Sequence, residues 1–287
     1  MTRVKRAAPM STMREEGIRG ALAAAAEALA KVGDTPRLDA ELLMAHALGL
    51  PRERMLLSGL DGAAPPAFAG LVERRGAGEP IAYISGRRAF WTIELEVGPG
   101  ALVPRPDSET LIEAALEHFG GEGPARILDL GTGPGTLLLA ALDQWPAATG
   151  LGIDVSGPAL DYARRNAANL GLASRAELRA GDWAEGIEEC FDLVLCNPPY
   201  VQTGAKLPDD VALWEPCQAL FAGPDGLSEY RRLTPVLPAL LAPGGIACIE
   251  VGEGQAVAVA ALFEAQHLRA EFRRDLGGRN RCVVLHG

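Results

Sequence analysis

Early in the chain, apolar residues recur every three or four positions, most plainly in Ala40-Glu41-Leu42-Leu43-Met44-Ala45-His46-Ala47-Leu48 before the stop at Gly49. No strand pattern interrupts the stretch 11–76, so residues 1–78 read as a small helical domain. The texture then changes. The run Ala89-Phe90-Trp91-Thr92-Ile93-Glu94-Leu95-Glu96-Val97, then Gly98-Pro99-Gly100, then Ala101-Leu102-Val103 predict two strands around a Gly-Pro-Gly turn, a hairpin linker over 79–106. Over 107–287 strands and helices alternate, with strands expected at 126–130, 149–154, 176–180, 191–196, 245–251, 269–276 and 281–286. Only Gly277-Gly278-Arg279-Asn280 separates the last two, too little for a helix, so they form an antiparallel hairpin. The expected fold is α/β: a doubly wound, seven-stranded, mostly parallel sheet with one reversed edge strand, a small N-terminal helical domain and a β-hairpin linker.

In such a sheet ligands bind beyond the carboxyl ends of the strands. The most informative end is that of Phe191-Asp192-Leu193-Val194-Leu195-Cys196, which runs into Asn197-Pro198-Pro199-Tyr200. Proline has no N–H for a ladder, and each residue before a proline is held extended, so the strand stops there and the turn is stiff. It presents one side-chain amide and a main-chain carbonyl, with an aromatic ring behind, which suits a planar –NH2 group; Asn197, Pro198, Pro199 and Tyr200 are the candidate substrate contacts, and Asn197, Pro198 and Tyr200 the catalytic ones. Read alone, the tetrapeptide is equally an ordinary loop.

A second strand end, Ile127-Leu128-Asp129-Leu130, enters the turn Gly131-Thr132-Gly133-Pro134-Gly135 and then an apolar helix. Glycines allow a tight turn and close approach of a ligand, and a helix N-terminus adds partial positive charge. The spacing is G-x-G-x-G rather than the dinucleotide G-x-G-x-x-G, while Asp154 ends the next strand, where an acid accepts hydrogen bonds from ribose hydroxyls. NAD and S-adenosylmethionine both use such an acid. The Asn-Pro-Pro-Tyr turn favours S-adenosylmethionine, since it has no task in hydride transfer and an evident one in positioning a nitrogen for methylation. Asp182 and Trp183, after the third strand, are candidate contacts to an adenine edge and face, with core packing an equal alternative for the indole.

With 287 residues and 48% hydrophobic positions the chain has ample core for two domains. No run approaches the length of a membrane span, and the basic start Arg3, Lys5, Arg6 lacks the apolar region of a signal peptide, so a cytoplasmic protein is expected. Five cysteines without a C-x-x-C pair, and four scattered histidines, argue against disulfides and a metal site; the cysteines read as reduced packing residues. A net charge of −10 lowers the odds of a nucleic-acid substrate, although Arg87-Arg88 and Arg273-Arg274 are local basic clusters.

The glycine loop, Asp154, Asp182-Trp183 and Asn197-Pro-Pro-Tyr200 resemble the Class I S-adenosylmethionine-dependent methyltransferases that modify planar amino or amide nitrogens. Glu79-Pro80-Ile81-Ala82-Tyr83-Ile84-Ser85-Gly86, Val103-Pro104-Arg105-Pro106, Glu215-Pro216 with Ala219-Leu220, Gly223-Pro224-Asp225-Gly226-Leu227, and Glu250-Val251-Gly252 with Gln255 resemble, more narrowly, the bacterial release factor glutamine methyltransferases. The resemblance implies methylation of the glutamine side-chain nitrogen in the Gly-Gly-Gln motif of class 1 peptide chain release factors, release factor recognition by the N-terminal helices, and cofactor contacts from Gly131, Thr132, Gly133, Pro134, Gly135, Asp154, Asp182, Trp183 and Asn197. Two departures are Asp107-Ser108-Glu109-Thr110, where the family usually has Glu-Thr-Glu, and Pro134 in place of a common serine. The competing readings are a methyltransferase acting on exocyclic amines of DNA or RNA bases, a nucleotide-binding oxidoreductase, and a non-catalytic adaptor.

Overall fold

The computed structural model describes residues 17–287; the basic start and the first positions of the expected helical stretch lie outside them. The described chain forms two compact units, one running to Gly86 and taking in Pro208–Trp214, the other comprising Arg87–Leu207 and Glu215–Gly287.

The first unit holds helices α1 (Ile18–Leu29), α2 (Pro36–Leu48), α3 (Arg52–Ser58), α4 (Phe68–Gly76) and α5 (Ile81–Ser85). Ile18, Leu22, Ala25 and Leu29 make one apolar stripe on α1 and pack with Leu43, Met44, Met55, Phe68 and Val72. As the sequence suggests, α2 stops at Gly49, whose φ of +64° is costly for any residue with a Cβ. Arg75, on α4, is buried in this unit and pairs with Asp39 at 2.8 Å and with Asp210 at 3.3 Å, which ties the 208–214 segment to the helices.

The second unit begins with a hairpin, β1 (Arg87–Phe90) and β2 (Ile93–Glu96), paired Phe90 to Ile93. Its turn is Trp91-Thr92, not the expected Gly98-Pro99-Gly100, and the apparently continuous β run folds back on itself. Trp91 takes a φ of +53°, and three bonds hold the turn: the Trp91 amide to Glu109 at 2.9 Å, its indole N–H to Gln144 at 3.1 Å, and the Thr92 hydroxyl to Asp143 at 2.6 Å. These partners lie on α6 (Glu109–Phe119) and α7 (Thr136–Gln144), far along the chain from the turn. Gly98-Pro99-Gly100 instead opens the loop leading to Pro104 and Arg105.

The main sheet comprises β3 (Arg126–Leu130), β4 (Thr149–Asp154), β5 (Ala176–Ala180), β6 (Phe191–Cys196), β7 (Leu241–Glu250), β8 (Arg269–Arg274) and β9 (Asn280–His286), in the order β5-β4-β3-β6-β7-β9-β8. Strands β3 to β7 pair in parallel, and β9 is antiparallel to both its neighbours. The seven-stranded, mostly parallel, doubly wound sheet is as expected. The reversed strand, however, lies one in from the edge, because Cys282-Val283-Val284-Leu285 is buried throughout and needs cover on both flanks, whereas the charged Arg269–Arg274 strand tolerates the edge. Helices α8 (Gly157–Asn169), α9 (Ser228–Leu233) and α10 (Ala256–Glu264) complete the alternation. The core joins Leu128, Leu130, Ile153, Val194, Ile249, Val283 and Leu285 of the sheet to Leu233, Val259 and Phe263 of the helices. The strand order reverses direction between β3 and β6, the switch point at which open α/β sheets place their ligand crevice. Cys196, Cys248 and Cys282 are buried packing residues as expected, but Cys190 and Cys217 are exposed, Cys190 in a loop and Cys217 at the start of a short 3-10 turn, both outside the sheet. Among the described residues no helix is long and apolar enough to cross a membrane.

Candidate active site

A cavity of about 510 Å³ lies at that switch point, within the second unit. Gly131, Thr132, Gly133 and Pro134, after β3, form one wall; Asp154 and Val155, after β4, and Gly181, Asp182 and Trp183, after β5, continue it; Asn197 and Pro199, after β6, close it. Four strand ends far apart in sequence thus meet around one space. Gly135, Pro198 and Tyr200 are not on the cavity wall. Gly135 precedes α7 with a φ of +88°, and a Cβ there would come within 2.7 Å of Leu139, so it serves loop–helix packing.

The glycine loop is set from outside as well as by its own backbone. Asn166, buried on α8, donates from Nδ2 to the carbonyls of Pro134 (2.9 Å) and Glu96 (3.0 Å) and accepts from the Glu96 amide at 2.7 Å, so it fastens the loop to the hairpin. Gly131 and Gly133 have φ of +74° and +57°; a Cβ on Gly131 would press on the Trp183 ring at 3.3 Å, whereas one on Gly133 would meet nothing within 4 Å, the open face a ligand needs. Asp154 accepts from the amides of Gly133 and Ser156, both at 2.8 Å; burial raises its pKa and these two bonds oppose the rise.

Beneath the loop is Asp129, a carboxylate only 1% exposed. Its Oδ2 accepts from the Thr132 hydroxyl at 2.7 Å and the Leu138 amide at 3.1 Å, while its Oδ1 has no partner among the described residues. Burial pushes its pKa up to about 7. A buried, half-satisfied carboxylate on the cavity wall suits a cationic donor group. Apolar surface is supplied by Leu102, Leu137, Ile153, Val155 and Ala159, of which Val155 is 63% exposed, an unusual value for valine and a seat for a planar ring. Ammonium, diol and ring are the parts of S-adenosylmethionine, and this donor set fits them.

Asp182 and Trp183 are held from α9: Arg232 pairs with Asp182 at 2.6 Å and with Glu229 at 2.9 Å, and Glu229 accepts the Trp183 indole N–H at 2.8 Å. Trp183 both lines the cavity and packs on the core. Arg105 lines the cavity and is bound by the buried Glu215, which also accepts the Val103 amide at 3.0 Å.

Asn197 donates from Nδ2 to Ser108 Oγ at 3.2 Å, leaving its amide oxygen without a partner among the described residues. Tyr200 donates to Glu250 at 3.2 Å, and its carbonyl accepts from Gln255 Nε2 at 3.0 Å. Burial raises the Tyr200 pKa further above its usual value, so the ring stays neutral. Asp129, Ser108 and Glu250 stood in motifs quoted from the sequence but, like Glu229 and Arg232, were given no site role there. Two of them carried a signal: Asp129 stands among Ile127, Leu128 and Leu130, and Glu250 ends the apolar run Ile246-Ala247-Cys248-Ile249, settings where a charge needs a reason.

The fold and the glycine-loop cavity define a methyltransferase domain: residues 123–274 match the family described as "Methyltransferase domain", and a methyltransferase from Pyrococcus furiosus shares the fold with a TM-score of 0.51 at 20% identity, covering 67% of this chain and 87% of that one. Residues 20–86 match the "PrmC N-terminal domain". A release factor glutamine methyltransferase from Rhodospirillum rubrum is 45% identical over 88% of this chain and 79% of its own length; one from Cereibacter sphaeroides is 44% identical over 92% and 96%. The chain belongs to the release factor glutamine methyltransferase family.

Proposed function

We propose that this chain transfers a methyl group from S-adenosylmethionine to the side-chain amide nitrogen of the glutamine in the Gly-Gly-Gln motif of class 1 peptide chain release factors. The observation that carries this reading is the Asn197 amide: its nitrogen is engaged by Ser108, and the residue lines the same cavity as the glycine loop. Gly131, Thr132, Gly133 and Pro134, with Asp154, Asp182, Trp183 and Asn197, are assigned to the cofactor, Gly135 serving to shape their loop, and Asp129 is added as the partner of its ammonium. When bound, S-adenosylmethionine supplies an electrophilic methyl carbon.

An amide nitrogen is a weak nucleophile because its lone pair is shared with the carbonyl. The Asn197 side-chain oxygen and the Pro198 main-chain oxygen each accept one N–H of the substrate –NH2, which fixes the nitrogen's direction; such alignment is worth up to about 7 to 11 kcal/mol in favourable model reactions. No base is needed before attack. As the nitrogen–methyl bond forms, the donor's sulfur–methyl bond would break with its electron pair left on sulfur as a neutral thioether, so positive charge grows on the nitrogen, and the two carbonyl dipoles and the neutral Tyr200 ring stabilise it. Pro199 keeps the turn rigid, and the product amide regains neutrality by releasing one proton to water. The helical unit is assigned to release factor recognition, and a translation substrate puts the reaction in the cytoplasm.

The test is incubation with labelled S-adenosylmethionine and, in separate reactions, a release factor, DNA or RNA. Label on the Gly-Gly-Gln glutamine is expected. Label on nucleic acid alone would overturn the reading.

A further inference from the structure

A buried network lies under the Asn-Pro-Pro-Tyr turn. Glu250, the last residue of β7, is 1% exposed. One of its carboxylate oxygens accepts the Tyr200 hydroxyl at 3.2 Å, and the other accepts from Ser108 Oγ. Ser108 in turn accepts from Asn197 Nδ2 at 3.2 Å. A single carboxylate therefore reaches both ends of the turn, directly at Tyr200 and through one hydroxyl at Asn197. Its own backbone is fixed, because the Tyr230 hydroxyl donates to the Glu250 carbonyl at 2.9 Å.

The polarity of this chain follows from donor counting. An ionised carboxylate has no proton to give and a serine hydroxyl has one. Ser108 directs that proton to Glu250, so its oxygen is left as an acceptor toward Asn197, and only the –NH2 end of the asparagine amide can answer it. The amide oxygen then points the other way. A substrate –NH2 in the cavity has only donors to offer, so a reversed Asn197 would meet donor with donor. We propose that Glu250 is a positioning residue for methyl transfer: acting through Ser108, and through Tyr200 at the far end, its carboxylate fixes the orientation of the Asn197 amide that accepts the substrate. This inference rests on the proposed glutamine methylation.

Protonation removes the constraint, since a neutral Glu250 can donate to Ser108 and free the serine proton for the Asn197 oxygen. Burial pushes the Glu250 pKa up to about 7, with Arg281 on β9 opposing the rise. The other titratable or charged groups facing it are Asp107 before α6, Tyr200 after β6, Cys196 on β6, Tyr230 on α9 and Cys282 on β9. Burial raises the pKa of both tyrosines and both cysteines, away from neutral pH. The turnover number should thus rise with pH through about 7 and level off above it.

The experiment measures release factor methylation by the full chain against pH for the wild type, Glu250→Gln and Ser108→Ala, with the S-adenosylmethionine dissociation constant and melting temperature of each. At pH 8 both variants should lose roughly ten- to a hundredfold in kcat, the size of one misdirected buried hydrogen bond, with cofactor affinity retained and the rise through pH 7 gone. Should Glu250→Gln fail to fold, Ser108→Ala leaves the Glu250 and Arg281 charges in place and carries the same readouts. A folded variant with wild-type kcat, or one that keeps the rise through pH 7, overturns the inference while leaving the glutamine reading intact. A wild type that binds cofactor but never labels release factor defeats the reading itself, and the inference with it.

Discussion

Asp129 stands among Ile127, Leu128 and Leu130 in a strand that packing alone would fill with aliphatic side chains. Its pKa of about 7 means that the folded chain holds a proton there which the unfolded chain releases near pH 4. The sign follows: the stability this group contributes is present below about pH 4 and is lost as the pH rises through about 7. Asp129→Asn, neutral and of the same shape, should melt higher than the wild type at pH 8, with the gap narrowing toward pH 5, and should bind S-adenosylmethionine more weakly at pH 8. A calorimetric melting series with a binding titration checks both; equal melting temperatures at every pH would contradict the burial argument. At this scale the sequence was legible where a residue type is rare in its setting. Gly131, Gly133, Asp154 and Asn197 stood at strand ends and meet at the cavity. Ser108 and Arg232 were not legible, because a serine before a helix and an arginine on one are ordinary, and only the fold sets them beside Asn197 and Asp182.

The strands show the same division between local and distant causes. β8 and β9 pair as the short Gly-Gly connection requires, from Arg269 with His286 to Arg274 with Asn280. Their order was also encoded, since Cys282-Val283-Val284-Leu285 is too apolar for an edge, yet hairpin logic alone does not say which strand docks on β7. Leu285, fully buried, and Leu276, fully exposed in the connecting turn, make a matched pair. Leu285→Ala should destabilise by about 2 to 5 kcal/mol, through lost burial and a residual cavity, and Leu276→Ala by less than about 0.5 kcal/mol. Denaturant titration of the two variants checks this, and comparable losses would contradict the strand order. The Trp91-Thr92 turn escaped sequence reasoning for a physical reason: its left-handed Trp91 is held by Glu109, Gln144 and Asp143, partners that no local pattern reveals.

Across the whole molecule, each unit carries its own core, one of helices around Leu22, Leu43 and Phe68, the other of a sheet between helices. The helical and α/β stretches were legible from the change of period alone. The insertion of Pro208–Trp214 into the first unit was not, because Asp210 reaches Arg75 across 135 positions of sequence. Membership of the family rests on matches to both parts of the chain, and the chemistry rests on one turn. The most direct test of that chemistry is single-turnover methylation of a release factor by Asn197→Ala, with cofactor affinity measured alongside. We expect transfer to fall by at least about a hundredfold, the usual cost of removing a preorganised polar contact to the reacting group, while S-adenosylmethionine binds much as before. Near wild-type transfer by this variant would contradict the role given to the turn.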